Sequence, residues 1–410
     1  MADFGGADID TFRTEVRAWL ADNYPAELKN PKAVTDPEAS WGGRAFIGSH
    51  DPQIEWMRRV AAKGWTAPAW PRVYGGGGLS SEEARVLERE IAAGGYHAPL
   101  ASFGIWMLGP VLLEYATEAQ KQEHLPRIVR GEVRWCQGYS EPGAGSDLAS
   151  LQTKCEDKGD HWLINGQKIW TSYANKADWC FCLVRTDTSK KHEGVSFVLI
   201  DMKTPGVETR PIKLISGESP FCETFFTDVK IPKENLVGQV GGGWEIAKRL
   251  LQYERQNISG GFVSGGGAGG ASGDLAEIAR NAIGLDQTGA LADADLRTRI
   301  IKSKMDGQAF FLTIGRIAAE ARVSNGPSAA TSIIKYAAAS LAQERSELMV
   351  EALGHQGLGW EGEGFSTAER LATRGWLRSK GNSIEGGTSE VNLNVVAKRV
   401  LGLPDPIKAS

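Results

Sequence analysis

The chain has 410 residues, a formal net charge of −4, and 41% hydrophobic and 23% charged residues. That length exceeds one ordinary core, so two or three domains are expected. The charge balance excludes a general basic footprint for nucleic acid, and no apolar run reaches the length of a membrane span.

The N-terminus, MADFGGADIDTF, begins acidic and has the form of neither a signal peptide nor an Arg-rich transit peptide, which predicts a cytoplasmic chain. The first third is helical in pattern. In DTFRTEVRAWLADN, Phe12, Val16, Trp19 and Leu20 fall at i, i+4, i+7 and i+8, one helix face, with Asp10 as the expected N-cap. SSEEARVLEREIAAGG reads as a helix with serine capping candidates, an acidic first turn and an end at Gly94-Gly95. TEAQKQEHLPRIVRGE predicts a short helix broken near Pro126.

Near residue 134 the pattern changes. HWLINGQKIWTS carries a central Asn165-Gly166, which predicts a hairpin between two short strands. WCFCLVRTD, GVSFVLIDM and VETRPIKLI are further short strands. The five cysteines, Cys136, Cys155, Cys180, Cys182 and Cys222, are odd in number and lack a secretion signal, which argues against a disulfide framework. Cys180 and Cys182 form C-F-C with no flanking histidines, so they are expected on one face of a strand rather than on a metal.

From Gly241 the helical period returns. In WEIAKRLLQYERQNISGG, Ile246, Leu250 and Tyr253 share a face. The run SGGFVSGGGAGGASG, residues 259–273, fits a flexible loop or a helix whose glycines leave room for something bulky. Asp295 is the expected cap of a long helix with Ile301, Met305 and Leu312 on one face, stopped by Asn325-Gly326-Pro327. A further helix ends at Gly354. The expected fold class is α+β multidomain: an N-terminal α-helical domain over 1–133, a middle β-barrel or sandwich domain over 134–238, and a C-terminal four-helix-bundle domain over 239–410.

YSEPGAGSD, residues 139–147, makes a tight turn with exposed amides and a hydroxyl, a form that can serve phosphate or a cofactor ring. Such turns are common. In combination with KIWTS at 168–172 and GGTSE followed by AKRVLGL, the chain resembles the acyl-CoA dehydrogenase family over essentially its whole length. The resemblance implies a flavoprotein, usually a tetramer, with FAD between the β domain and the C-terminal bundle and an electron-transfer flavoprotein as electron acceptor. The implied reaction is α,β-desaturation of an acyl-CoA thioester. That chemistry needs preorganised donors for the thioester oxygen and a carboxylate whose pKa a dry pocket brings toward working pH.

By the same resemblance, Gln137, Tyr139 and Ser140 line the flavin ring, and Ser146 lies near the pantetheine or phosphate part of CoA. Trp170 stands against the flavin, with Thr171 and Ser172 bonding to it; read without its neighbours, Trp170 would be a core aromatic. Thr388 and Glu390 fall near the dinucleotide end of FAD, and Glu390 also suits a helix start. Two stretches depart from the family. Gln-x-x-Gly-Gly is replaced by EALGH, which keeps Gly354 but has Glu351 and His355; Arg-x-x-Phe-Gly is replaced by a stretch from Arg280 to Gly284 with Ile283 for Phe. Arg280 is a candidate phosphate partner across a subunit interface.

Most of the family reads Tyr-Glu-Gly-Thr where this chain has Glu385-Gly386-Gly387-Thr388, so Gly386 occupies the usual position of the base and Glu385 is one residue early. The amide of Gly386 can still donate to a thioester oxygen. A minority of the family, isovaleryl-CoA dehydrogenase among them, carries the base in a Glu-Arg pair on the first long C-terminal helix. Glu254-Arg255 match that pair, with Glu254 as base and Arg255 structural or near CoA; in an arbitrary helix Glu254 would be a solvated carboxylate. Three activities fit: a dehydrogenase for a branched, aromatic or steroid-side-chain acyl-CoA, a non-catalytic or half-site subunit of a mixed tetramer, and a flavin oxidase.

Overall fold

The computed structural model describes residues 8–30, 36–263, 274–323 and 331–404, and their side chains except those of 255–263, 318, 321–323 and 331–332. The chain forms two compact units, one of Met1–Ile212 with Pro220–Glu254, the other of Lys213–Ser219 with Arg255–Ser410.

The first unit begins with helices α1 (Ile9–Asn23), α2 (Pro52–Ala62), α3 (Ser81–Ala93), α4 (Gly109–Tyr115) and α5 (Glu118–Val129). Phe12, Val16 and Leu20 of α1 are buried, as their spacing predicts, but the cap is Asp8 rather than Asp10. Asp10 sits inside the first turn, where a carboxylate favours the positive helix end and pairs with Arg13. Helix α3 starts at Ser80 in a capping box with Glu83. Helix α5 is not broken at Pro126. Its missing N–H costs about 3 kcal/mol, but Leu125, Ile128 and Val129 are buried on one face, each contributing about 1.5–3 kcal/mol. Packing therefore outweighs the lost bond.

The sheet comprises β1 (Trp135–Gly138), β2 (Lys154–Asp157), β3 (His161–Ser172), β4 (Trp179–Arg185), β5 (Val195–Asp201), β6 (Val207–Ile212), β7 (Phe221–Pro232) and β8 (Leu236–Val237). The order is β6-β7-β3-β2-β4-β5-β8, with β1 parallel to β4. Alternate residues separate two cores. Trp135, Phe181, Leu183, Phe197 and Leu199 pack with Leu108, Leu112 and Ile128 of the helical part. Cys180, Cys182, Val198 and Ile200 face Ile164, Cys222, Phe226 and Ile231 in the other core. Strands β3 and β7 thus close over β4 and β5, the barrel-or-sandwich arrangement. All five cysteines are buried and free, and Cys180 and Cys182 share one face of β4.

The Asn165-Gly166 pair is not a hairpin turn. Strand β3 runs through it, with a register shift against β7. A Cβ on Gly166 would lie 2.6 Å from the Cα of Thr153, the residue just before β2, so the glycine admits a close approach of that backbone. The Asn165 amide instead bonds with Asp228, donating to its carboxylate at 3.0 Å and accepting its N–H at 2.8 Å. The actual β2–β3 turn lies at residues 157–160, where the Lys158 N–H reaches the His161 carbonyl.

Helix α6 (Gly243–Val263) follows the sheet and includes the start of the 259–273 run; the rest of that run, from 264, and Asn325-Gly326-Pro327 lie outside the described residues. In the second unit, α9 (Thr331–Leu353) packs against α7 (Leu275–Ile283), α8 (Ala294–Val323), α10 (Thr367–Ser379) and α11 (Ser389–Val395). Leu275, Ala279, Leu296, Ile300, Leu348 and Ala352 make its core. Asp293, not Asp295, caps α8 by accepting the Leu296 N–H. The predicted face of α8 is not the buried one: Ile301, Met305 and Leu312 are 52%, 65% and 62% exposed. The helix is apolar on two sides, and its own unit covers the side of Leu296 and Ile300. Among the described residues no helix is long and apolar enough to cross a membrane, and no cluster of metal-ligating side chains occurs.

Candidate active site

The two middle-domain motifs are physically joined. The Ser140 carbonyl accepts the Ile169 N–H at 2.9 Å. Lys168, fully buried, donates to the Tyr139 carbonyl at 3.1 Å and to the Glu141 carboxylate at 2.8 Å. Glu141 also accepts the N–H groups of Gln152 and Thr153 at 2.5 and 2.8 Å. Burial alone would raise the Glu141 carboxyl, but the Lys168 charge and these donors hold it below the usual range. A buried charge pair persists only when its remaining lone pairs are satisfied, as here. Gly138 lies just before the turn because a Cβ would meet the Cys180 Sγ at 2.8 Å. Sequence reasoning named neither Lys168 nor Glu141 as site residues. Their only signal was membership of the two motifs, 27 residues apart.

Trp170 sits in a bulge. Lys168 pairs with Thr224 and Thr171 with Cys222, so two residues of β3 face one of β7. Its φ is +60°, a left-handed value that costs an aromatic residue free energy. The bulge turns the indole out of the sheet: it is 51% exposed and touches Phe221 edge-on, with ring centroids 6.0 Å apart. It is therefore not a core aromatic. Thr171, next along, is fully buried, and its Oγ1 has no hydrogen-bond partner among the described residues. Ser172 and Gln137 are half-buried, as is Ser140; Tyr139 is buried. The exposed Ser146 belongs to a loop fixed by Arg185, which donates to the carbonyls of Ala149, Leu151, Lys190 and Lys191. A groove of 490 Å³ lies along the same turn, lined by Glu141, Pro142, Gly143, Gln152 and Gly166 among others.

Helix α6 brings Glu254 to the same unit. Ile246, Ala247 and Leu250 are buried in the core that holds Tyr139, and Glu254 follows Leu250 by one turn on that face, half-buried. One turn earlier, Arg249 bonds the Glu114 carboxylate of α4 at 2.7 Å and the Tyr253 hydroxyl at 2.9 Å; that hydroxyl donates to Glu114 as well. The Arg249 bond holds the Glu114 carboxyl below its ordinary range. Burial, then Glu114, pushes the Tyr253 phenol up to about 12. The group clamps α6 to α4 and was not legible in the sequence. The Arg255 backbone continues the helix; its side chain lies outside the described residues.

The second unit holds the remaining candidates. Glu385 pairs with Arg378 at 2.6 Å, and Gly386 and Gly387 adopt φ of +62° and +88°. Thr388 caps α11 by accepting the Val391 N–H at 3.2 Å. Glu390 lies in the first turn, exposed; its own backbone N–H, then Thr388, lowers its carboxyl. Lys335 of α9 donates to the Asn382 carbonyl at 2.5 Å and feels the charges of Glu385 and Glu390, with burial lowering its ammonium. It is a cation of this stretch that sequence reasoning missed. Arg280 is exposed on α7, and Gly354 follows α9 with φ +55°. The irregular Glu351 is neutralised by Arg299 of α8 at 2.7 Å.

Models of the three acyl-CoA dehydrogenase domains match the chain in order: the N-terminal domain over residues 8–132, the middle domain over 136–229 and the C-terminal domain over 241–401. The chain is 36% identical to the acyl-CoA dehydrogenase IpdE1 of Mycolicibacterium smegmatis, covering 98% of this chain and 99% of that one. It is 35% identical to IpdE1 of Mycobacterium tuberculosis over 98% and 99%. Among solved structures, the ChsE4-ChsE5 complex from Mycobacterium tuberculosis superposes with a TM-score of 0.73 at 28% identity, covering 99% of this chain and 100% of that one. The Tcur3481-Tcur3483 steroid ACAD gives 0.73 at 27%, covering 97% and 98%. The chain thus belongs to the acyl-CoA dehydrogenase family and is an oxidoreductase of that kind.

Proposed function

We propose that this protein desaturates an acyl-CoA thioester at the α,β position, with FAD as cofactor and Glu254 as the base. The observation that carries the reading is the placement of Glu254, half-buried on α6, beside the core that holds Tyr139 and the joined motifs. Gly386, at the family's usual base position, has no side chain and a left-handed backbone, while Glu385 is engaged by Arg378. Both facts favour Glu254.

The residues present fit a flavin. Trp170 offers a half-exposed indole face, and Thr171 a buried hydroxyl with no other partner among the described residues. FAD, when bound, supplies the hydride acceptor at its N5. On this reading Gln137, Tyr139 and Ser140 would line its ring, Trp170 would stand against it with Thr171 and Ser172 bonding to it, and Arg280, Gly354, Thr388 and Glu390 would serve its dinucleotide part. Ser146 and Arg255 contact CoA. The Gly386 amide donates to the thioester oxygen, which raises the acidity of the α-proton that Glu254 removes. Electrons then pass to an electron-transfer flavoprotein.

A bulky acyl group is favoured, because one solved relative at 27% identity is a steroid ACAD. Anaerobic addition of acyl-CoA thioesters from short-chain to steroid side chain tests this. Bleaching by a bulky thioester supports the reading; bleaching by none contradicts it.

A second reading is a mixed tetramer in which this chain pairs with a related one. The name of the ChsE4-ChsE5 complex records two chains, and the exposed apolar stripe of α8 suits a subunit interface. Purification alone separates the two: a yellow tetramer supports self-assembly, a colourless or unstable chain supports an obligate partner.

A further inference from the structure

Helix α6 is held on one flank by a closed ring of three polar side chains. The Glu114 carboxylate of α4 accepts Arg249 Nη2 at 2.7 Å and Arg249 Nε at 2.9 Å, a forked pair. Arg249 Nη2 also donates to the Tyr253 hydroxyl at 2.9 Å, and that hydroxyl donates to the same carboxylate. The guanidinium stands 4.7 Å from the centroid of the Tyr253 ring, and its Nη1 reaches the Gln252 side chain at 3.0 Å. The Tyr253 phenol, pushed up to about 12 by burial and then by Glu114, donates at any working pH.

Stability alone does not account for the ring. The Arg249 and Glu114 side chains are 39% and 34% exposed, and ion pairs so open to water contribute little. What the ring does fix is the rotation of α6 about its axis. Arg249 and Tyr253 are one turn apart and mark one flank of the helix. Ala247 and Leu250 mark its buried face, in one core with Val111 and Leu112 of α4, so Glu114 projects from a firmly seated helix. Glu254 follows Leu250 by four residues and Ala247 by seven, which puts it on that buried face, and it is the next residue after Tyr253. It is also the last residue of its unit, from which α6 continues into the other. The ring therefore ties α6 down within the turn that ends at the carboxylate. A side-chain tip stands about 5–6 Å from a helix axis, so a rotation of about 10° moves it by about 1 Å. A misplacement of that size can cost about 10²-fold in rate.

We propose that the Glu114–Arg249–Tyr253 ring positions the base: by fixing the rotation of α6, it holds the Glu254 carboxylate in the direction that proton abstraction requires. This rests on Glu254 being the base. The three are positioning residues, acting through Glu254 rather than on the substrate.

The test uses flavin-loaded wild type, Tyr253→Phe, Glu114→Gln, Glu254→Gln and the Glu254→Gln/Tyr253→Phe double variant. Tyr253→Phe keeps the aromatic ring and removes only the hydroxyl; Glu114→Gln keeps the shape and removes the charge. The probe is the thioester of the short-chain to steroid-side-chain series that bleaches the wild type fastest. Anaerobic flavin reduction in a single turnover, followed across thioester concentrations, separates the limiting rate from the dissociation constant. Both single variants are expected to lower the limiting rate by about 10–100-fold and to leave the dissociation constant close to that of the wild type. In the Glu254→Gln background, Tyr253→Phe is expected to add no further loss, because no base remains to be positioned. A wild-type limiting rate in either single variant overturns the proposal. So does a loss confined to the dissociation constant, or an equal further loss in the Glu254→Gln background. Glu254→Gln reducing flavin at the wild-type rate overturns the base assignment itself, and this role with it. Slow Glu254→Gln beside fast Tyr253→Phe overturns the role alone.

Discussion

The Lys168 ammonium lies 2.8 Å from the Glu141 carboxylate, with the lysine side chain fully buried and the glutamate nearly so. Together with the Ile169 N–H to Ser140 carbonyl bond, this pair joins the YSEPGAGSD turn to the KIWTS strand. Breaking it leaves an uncompensated buried charge. Lys168→Met is therefore expected to destabilise the protein by about 3–5 kcal/mol. Glu141→Gln added to Lys168→Met recovers part of the loss. Denaturant midpoints measured on all three variants check this.

The same pair has a pH signature. The Glu141 pKa is depressed in the folded state, so its contribution is present above the ordinary carboxylate pKa and is lost as pH falls through the lower folded value. Wild type is expected to lose stability over that acid range, and the Glu141→Gln/Lys168→Met protein to show a flatter profile there. Melting temperature against pH for the two proteins measures it.

Trp170 separates stability from cofactor binding. A left-handed backbone at a non-glycine residue costs about 1–2 kcal/mol, while glycine adds about 0.5–1 kcal/mol of unfolded-state entropy. Trp170→Gly is thus expected to leave stability unchanged or slightly raised, since the indole is 51% exposed. FAD affinity should fall roughly tenfold or more with loss of an aromatic stacking face. Flavin titration beside a melting curve resolves the two effects.

Glu385→Ala and Glu351→Gln are expected to keep most activity and flavin. Glu385 belongs to a partly exposed pair with Arg378, and Glu351 to one with Arg299. Pairs of this kind contribute about 0–1 kcal/mol. Inactivation of Glu385→Ala in the flavin-bleaching assay would move the base to that residue.

Much of the fold was legible because period and length report burial: the α, β, α order, the buried face of α1 and the Ile246–Leu250 stripe that aims Glu254. What was not legible depends on partners far away in sequence. Asn165-Gly166 looks like a turn locally, but 63 residues on, Asp228 takes up the Asn165 amide and β3 stays paired. Pro126 looks like a break until the core beneath Leu125 and Ile128 is counted. On α8, period alone could not choose between two apolar faces. The site divides likewise. Motif residues such as Thr388, whose hydroxyl caps α11, could be named from a short stretch. Lys168–Glu141, the Glu114–Arg249–Tyr253 clamp and the left-handed bulge of Trp170 needed the third dimension.

The central claim is that the base is Glu254, on α6, and not Glu385. The direct measurement is anaerobic flavin bleaching by a turned-over acyl-CoA in Glu254→Gln protein with its full complement of FAD. The account expects the yellow colour to persist, with the reduction rate down by about 10²–10⁴-fold. Bleaching at the wild-type rate would contradict it.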